Sequence, residues 1–147
     1  MIALDTNLLV YAHREDSPHH LLALAALTGL LQSQGQVGLP WPCVHEFLAV
    51  VTHPRVYQPP STMAQALAAV RALTDSPRVQ LLAEQPHHLD TLGRLLARGD
   101  IRGPRVHDAR IAAICLDAGV TELWSADRDY SWFPALRVVN PLVHHPA

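Results

Sequence analysis

Ile2-Ala3-Leu4-Asp5-Thr6-Asn7-Leu8-Leu9 is the stretch whose reading decides the fold class. Ile2-Ala3-Leu4 is a short continuous apolar run, the signature of a buried strand, whereas Leu8, Leu9 and Ala12 recur with helical spacing. A strand that ends in an acid and passes at once into a helix is the first half of a strand-helix-strand unit. Such units build parallel sheets, because parallel neighbours need a crossover connection.

The alternation continues along the chain. Ser17-Pro18 predicts an N-cap with proline at the first helical position, and Leu21, Leu24, Leu27 or Thr28, and Leu31 give the buried stripe of a second helix that Gly35 closes. Residues 37–39 read as a strand, followed by a helical stripe of Val44, Phe47, Leu48 and Val51 that Pro54 ends. Ser61 or Thr62 caps a further helix with Met63, Ala66, Leu67 and Val70 inward, and residues 79–82 form a third strand. Pro86 opens a helix that buries Leu89, Leu92 and Leu96 and takes Gly99 as its left-handed cap. After a turn at Gly103-Pro104, Asp108 begins a helix with Ile111, Ala112, Cys115 and Leu116 inward and Gly119 past its end. Strands at 122–125 and 137–139 complete the pattern. The expected fold is α/β: a parallel sheet with helices on both faces. No linker or repeat divides the chain, so residues 1–147 are expected to form a single domain, with the helix-rich stretch 42–75 as an insertion in it.

Apolar residues make up 49% of the chain and charged residues 16%, the balance of a globular protein and not of a disordered one. The longest apolar stretch, from Leu21 to Leu31, is interrupted by Thr28 and Gly29 and is too short to span a bilayer, so no membrane segment is expected. Met1-Ile2-Ala3-Leu4-Asp5 lacks a basic leader before a long apolar run, so a cytoplasmic protein is expected. The net charge of −2 lacks the footprint of a general nucleic-acid coat. All 11 basic residues are arginines, and the absence of lysine weighs against phosphate-loop NTPases and phosphoacceptor domains. Arg98, Arg102, Arg105 and Arg110 surround Asp108, where they suit either phosphate contact or a solvated face. Cys43 and Cys115 sit in apolar helical patterns and are expected to be buried and free.

In open α/β sheets, ligands bind beyond the carboxyl ends of the strands. Four acids belong there: Asp5 ends the first strand, Glu46 follows the second, and Asp108 and Asp127 bracket the fourth. Each has an ordinary alternative, since Asp5 can cap a helix, Glu46 can face solvent, Asp108 suits a helix first turn, and Asp127 can form a turn with Asp129. Together they imply a shared site. Crowded carboxylates repel one another unless a cation compensates them, and all-oxygen ligands suit Mg²⁺ or Mn²⁺. Among the ten histidines, the adjacent pairs His19-His20, His87-His88 and His144-His145 cannot chelate together from one helix face. His45 and His107, beside two of the acids, are the better candidates for a supporting role. Trp41 and Trp132 are expected in the core, with base stacking as the alternative.

Leu4-Asp5-Thr6-Asn7, Glu46, His107-Asp108-Ala109-Arg110-Ile111-Ala112-Ala113 and Trp124-Ser125-Ala126-Asp127-Arg128-Asp129-Tyr130 together resemble the PIN-domain ribonucleases, and among them the VapC-type toxins. The resemblance runs in order from about residue 2 to residue 140. It implies a PIN-like three-layer sandwich and a Mg²⁺- or Mn²⁺-dependent endoribonuclease that forms a homodimer and is silenced by a VapB-like antitoxin. It further implies Asp5 and Asp108 as principal metal ligands, Glu46 as the acid that positions metal or water, and Asp127 as the fourth catalytic acid. Thr6 and Asn7 match a polar pair that orients Asp5, and Asp129 resembles an auxiliary acid. A catalytically silent PIN-like module that binds RNA or protein is the alternative, and a phosphatase or DNA nuclease is a third reading.

Overall fold

Ala3 and Leu4 are neighbours in sequence but belong to different cores. They lie in β1 (Ile2–Leu4), and successive side chains of a strand point to opposite faces of the sheet. The structure, a computed structural model, describes residues 1–98 and 100–143. Among these, β1, β2 (Val37–Pro40), β3 (Val79–Leu82), β4 (Glu122–Trp124) and β5 (Val138–Val139) form one parallel sheet in the order β3-β2-β1-β4-β5.

One face of the sheet carries α1 (Thr6–His13), α2 (His20–Gln32), α3 (Trp41–Val51) and α4 (Met63–Thr74), whose Leu8, Leu9, Leu30, Val44, Phe47 and Ala66 pack with Leu4, Val37 and Leu39. The other face carries α5 (His88–Leu96) and α6 (Arg105–Asp117), whose Leu95, Ile111 and Ile114 pack with Ala3 and Leu123. The expected three-layer α/β sandwich is therefore what forms. Gly38 is required where β2 faces the α6 side: a Cβ there would lie 2.8 Å from Leu82 Cδ1. Gly119 ends α6 with φ of +73°, a left-handed conformation that glycine adopts without strain. Both cysteines are buried and free.

Several local expectations need correction. α2 begins at His20, because the Ser17 hydroxyl accepts the His19 N–H and closes a turn ahead of the helix. Its buried positions are Ala23 and Leu30, while Leu21 is 79% exposed and Leu24 is 42% exposed. Leucines surround this helix, so periodicity did not choose a face, and small Ala23 sits at its buried contact. α2 ends at Gln32, ahead of Gly35, with the Ser33 hydroxyl donating to Leu30 O at 2.6 Å. In α4 only Ala66 of the four named residues is fully buried; Thr62, not Ser61, is the cap, in a reciprocal box with Gln65. In α5, Thr91 and Leu95 are buried and Leu89 is exposed, because Thr91 turns inward to donate to Asp117 at 2.7 Å. α6 starts at Arg105, ahead of Asp108, since Pro104 already holds a helical φ of −58°. Gly99, read as a cap, and the pair His144 and His145 lie outside the described residues.

Candidate active site

The strand order reverses direction between β1 and β4, since the chain moves outward from β1 through β2 to β3 and then returns to the other side of β1. The crevice at such a switch point is where an open α/β sheet binds ligands. Asp5 N–H donates to Trp124 O at 3.0 Å, so the ends of the two strands are joined at this crevice.

Asp5 occupies the N-cap position of α1 with extended backbone, yet its carboxylate makes no capping bond. It turns instead into a set of neutral donors. Ser125 Oγ donates to Oδ2 at 2.6 Å, Tyr130 Oη to Oδ1 at 3.3 Å, Cys43 Sγ to Oδ1 at 3.6 Å, and Asn7 Nδ2 to Oδ2 at 3.4 Å. Asp5 is only 4% exposed, and burial raises its carboxyl above the ordinary carboxylate range, opposed by the Ser125 hydrogen bond. Burial also pushes the Tyr130 phenol and the Cys43 thiol far up, which keeps both as proton donors.

Glu46 projects from α3 and accepts the Thr6 hydroxyl at 3.0 Å. Thr6 thus orients Glu46 through its side chain, where the sequence reading gave it to Asp5; Asn7 does serve Asp5. Asp108 lies in the first turn of α6, and its carboxyl is pushed up to about 6, first by burial and then by Asp127, Asp5, Asp129 and Glu46. Asp127 caps a 3₁₀ turn at Arg128–Trp132 by accepting the Asp129 N–H at 2.9 Å, so its ordinary role is realised as well. All four predicted acids line one cavity of about 270 Å³. Oxygen atoms of Asp108, Asp127 and Asp129 also come within 4.8 Å of one another.

Among the described residues, no arginine or histidine pairs with Asp5, Glu46, Asp108, Asp127 or Asp129; Arg110 goes to Glu84 and Arg102 to Asp100. The crevice is thus an all-oxygen donor set short of positive charge, which fits a hard divalent cation. His45 rests near Trp41 at 5.9 Å between ring centroids, His107 is exposed, and neither lines the cavity. Trp41 and Trp132 are each 39% exposed and not core residues; the Arg105 guanidinium covers Trp132 at 4.2 Å. Sequence reasoning missed Ser125, Tyr130 and Cys43 as the cradle of Asp5. Ser125 carried a usable signal, standing at a strand exit two positions before an acid, whereas nothing local marked the other two.

A cluster of uncompensated carboxylates at the switch point of a parallel, three-layer α/β sandwich defines a class of protein built to hold a divalent cation. The PIN domain profile matches residues 2–136. A VapC ribonuclease of Mycobacterium bovis is 35% identical over 142 residues, 97% of this chain and 96% of the relative. Ribonuclease VapC31 of Mycobacterium tuberculosis is 33% identical over 141 residues, 96% of this chain and 99% of that protein. The solved VapBC2 of Rickettsia felis, bound to a DNA fragment from its promoter, shares the fold with a TM-score of 0.69 at 18% identity, covering 95% of this chain and 98% of that one. The chain belongs to the PIN-domain family, among its VapC ribonucleases.

Proposed function

We infer that this chain, acting as one domain, is an endoribonuclease toxin that hydrolyses RNA phosphodiester bonds with Mg²⁺ or Mn²⁺. The observation that carries this reading is the convergence of Asp5, Glu46, Asp108 and Asp127 on one cavity without a basic partner among the described residues. Asp5 and Asp108 are the residues that would hold the cation, with Asp127 and Asp129, after β4, as further oxygen donors beside Asp108. When bound, the cation neutralises phosphate charge and makes water a stronger nucleophile.

The chain's own residues do the rest. Ser125, Tyr130 and Asn7 fix the Asp5 carboxylate through neutral donors, which orient it without cancelling its charge. Glu46, steadied by Thr6, accepts the proton of the attacking water. Asp108 gains from a cation, since burial and the neighbouring carboxylates hold its carboxyl up at about 6 without one. The relatives are named VapC ribonucleases and the Rickettsia felis neighbour is a VapBC assembly, which supports a VapB-like antitoxin as partner, its arginine or lysine reaching these carboxylates. No helix among the described residues is long and apolar enough to cross a membrane. A homodimer acting in the cytoplasm is proposed from the likeness to the VapC ribonucleases. The test is cleavage of cellular RNA by purified protein in Mn²⁺ or Mg²⁺. Activity should vanish in excess chelator and in Asp5→Asn and Asp108→Asn. Full activity in chelator overturns the metal reading, and saturable RNA binding without any cleavage assigns a silent module instead.

A further inference from the structure

The cavity that holds the acids has a second wall of different chemistry, made by Val10, Tyr11, Val50 and Tyr57. Two of the elements around the acids, α1 and α3, also supply this one. Glu46 and Val50 are one turn apart on α3, and Thr6 and Val10, like Asn7 and Tyr11, are one turn apart on α1. Residues at that spacing stand about 5–6 Å apart on a helix face. The crevice therefore passes from polar to apolar side chains over one helical turn, the scale of the sugar that separates a phosphate from its base, and Tyr57 joins the apolar side.

Tyr57 packs at the margin of the core on the α1–α4 face and is held there by a cation as well. The Arg14 guanidinium lies 4.3 Å from its ring centroid, and Arg14 does not itself line the acidic cavity. That guanidinium is fixed by Asp16 Oδ1 at 2.8 Å and Oδ2 at 2.7 Å, by Ser61 Oγ at 3.2 Å and by Pro59 O at 3.0 Å. The cation that supports the ring is itself held by four hydrogen bonds, and the ring is half-buried and lines the same cavity as the acids. An aromatic ring backed by arginine beside a phosphate-cleaving centre is a stacking platform, since every base offers a π-face.

We propose that Tyr57, backed by Arg14 and flanked by Tyr11, is a base-stacking subsite that receives a nucleobase next to the scissile phosphate of single-stranded RNA. The proposal rests on the reading that RNA is the substrate. It makes Tyr57 a binding and positioning residue that fixes where along the strand the acids meet the backbone. Its hydroxyl is dispensable and its ring is not.

The test is equilibrium binding by fluorescence anisotropy in an Asp108→Asn background, at one fixed low salt. The probes are a short mixed-sequence single-stranded oligoribonucleotide and an abasic ribose-phosphate oligomer of equal length. The parent should prefer the base-bearing strand. Tyr57→Leu should weaken that strand about 5- to 100-fold and leave the abasic oligomer unchanged, while Tyr57→Phe stays within about twofold of the parent. A parent that binds both oligomers equally overturns the proposal, even should Tyr57→Leu fail to fold. So does a Tyr57→Leu variant that binds the base-bearing strand like the parent, or that loses both oligomers alike. Cleavage by the wild-type protein in Mn²⁺ is scored separately, so failure of the nuclease reading is distinct from failure of the stacking subsite.

Discussion

Ser125 donates its hydroxyl proton to Asp5 Oδ2 at 2.6 Å, joining residues 120 positions apart across the end of the sheet. The carboxylate it holds is buried and has no cationic partner among the described residues, so a neutral donor is what keeps that oxygen in place. Ser125→Ala should lower RNA cleavage about 10- to 100-fold and cost about 1–3 kcal/mol of stability, because the buried oxygen loses its shortest bond. Steady-state cleavage and denaturant melts of the same preparation check both effects, and unchanged cleavage would remove Ser125 from the account.

Asp108 ties function to instability. Its carboxyl is raised from 3.8 to about 6 in the folded chain, so the folded state holds the proton more tightly than the unfolded one. The stabilisation this gives is complete below pH 3.8 and is lost as pH rises through about 6. At neutral pH and without cation, the charged Asp108 therefore costs about 1 kcal/mol after allowance for solvent screening. In chelator, Asp108→Asn should melt above the wild type at pH 7.5, with the gap closing near pH 4. Mn²⁺ should raise the Tm of the wild type and leave that of the variant nearly unchanged. A wild-type chain that melts higher than Asp108→Asn in chelator contradicts this electrostatic picture.

Thr6→Val separates the two roles of the first helical turn. Removing the hydroxyl that reaches Glu46 at 3.0 Å frees that exposed carboxylate, and cleavage should fall about 10- to 100-fold with little change in Tm. Asn7→Ala should act through Asp5 instead, lowering the effect of Mn²⁺ on Tm as well as the rate. Equal effects of both variants on that Tm response would argue against separate targets.

Gly38→Ala tests the packing of the sheet on α6. The added methyl meets Leu82 Cδ1, Met1 Sδ and Ala3 Cβ, so a loss of about 1–3 kcal/mol is expected, with Leu82→Val restoring part of it. Thermal melts of the single and double variants read this directly.

Leu4-Asp5 and the spacing of Asp108 and Asp127 made the fold class and the acid set legible in the sequence, because strand period, helix period and strand-exit acids are local signals. The burial of α2 was not legible: its leucines face every direction, and only contact with its neighbours selects Ala23 and Leu30. The cradle of Asp5 was also hidden. Tyr130 and Cys43 reach it from a 3₁₀ turn and from α3, and no sequence period records a contact between such distant positions. Thr6 was legible only in part: its backbone hydrogen-bonds Asp5, but its hydroxyl points to the next acid in the crevice.

The central claim is that these acids cut RNA by directing water at the phosphate, without using the substrate's own 2′-hydroxyl. Mass spectrometry of the fragments from a defined RNA cut in Mn²⁺ tests it most directly. The account predicts 5′-phosphate and 3′-hydroxyl ends, with cleavage persisting when the nucleotide 5′ to the cut is replaced by its 2′-deoxy form. A 2′,3′-cyclic phosphate on the upstream fragment, together with complete resistance of the deoxy-substituted RNA, would contradict it.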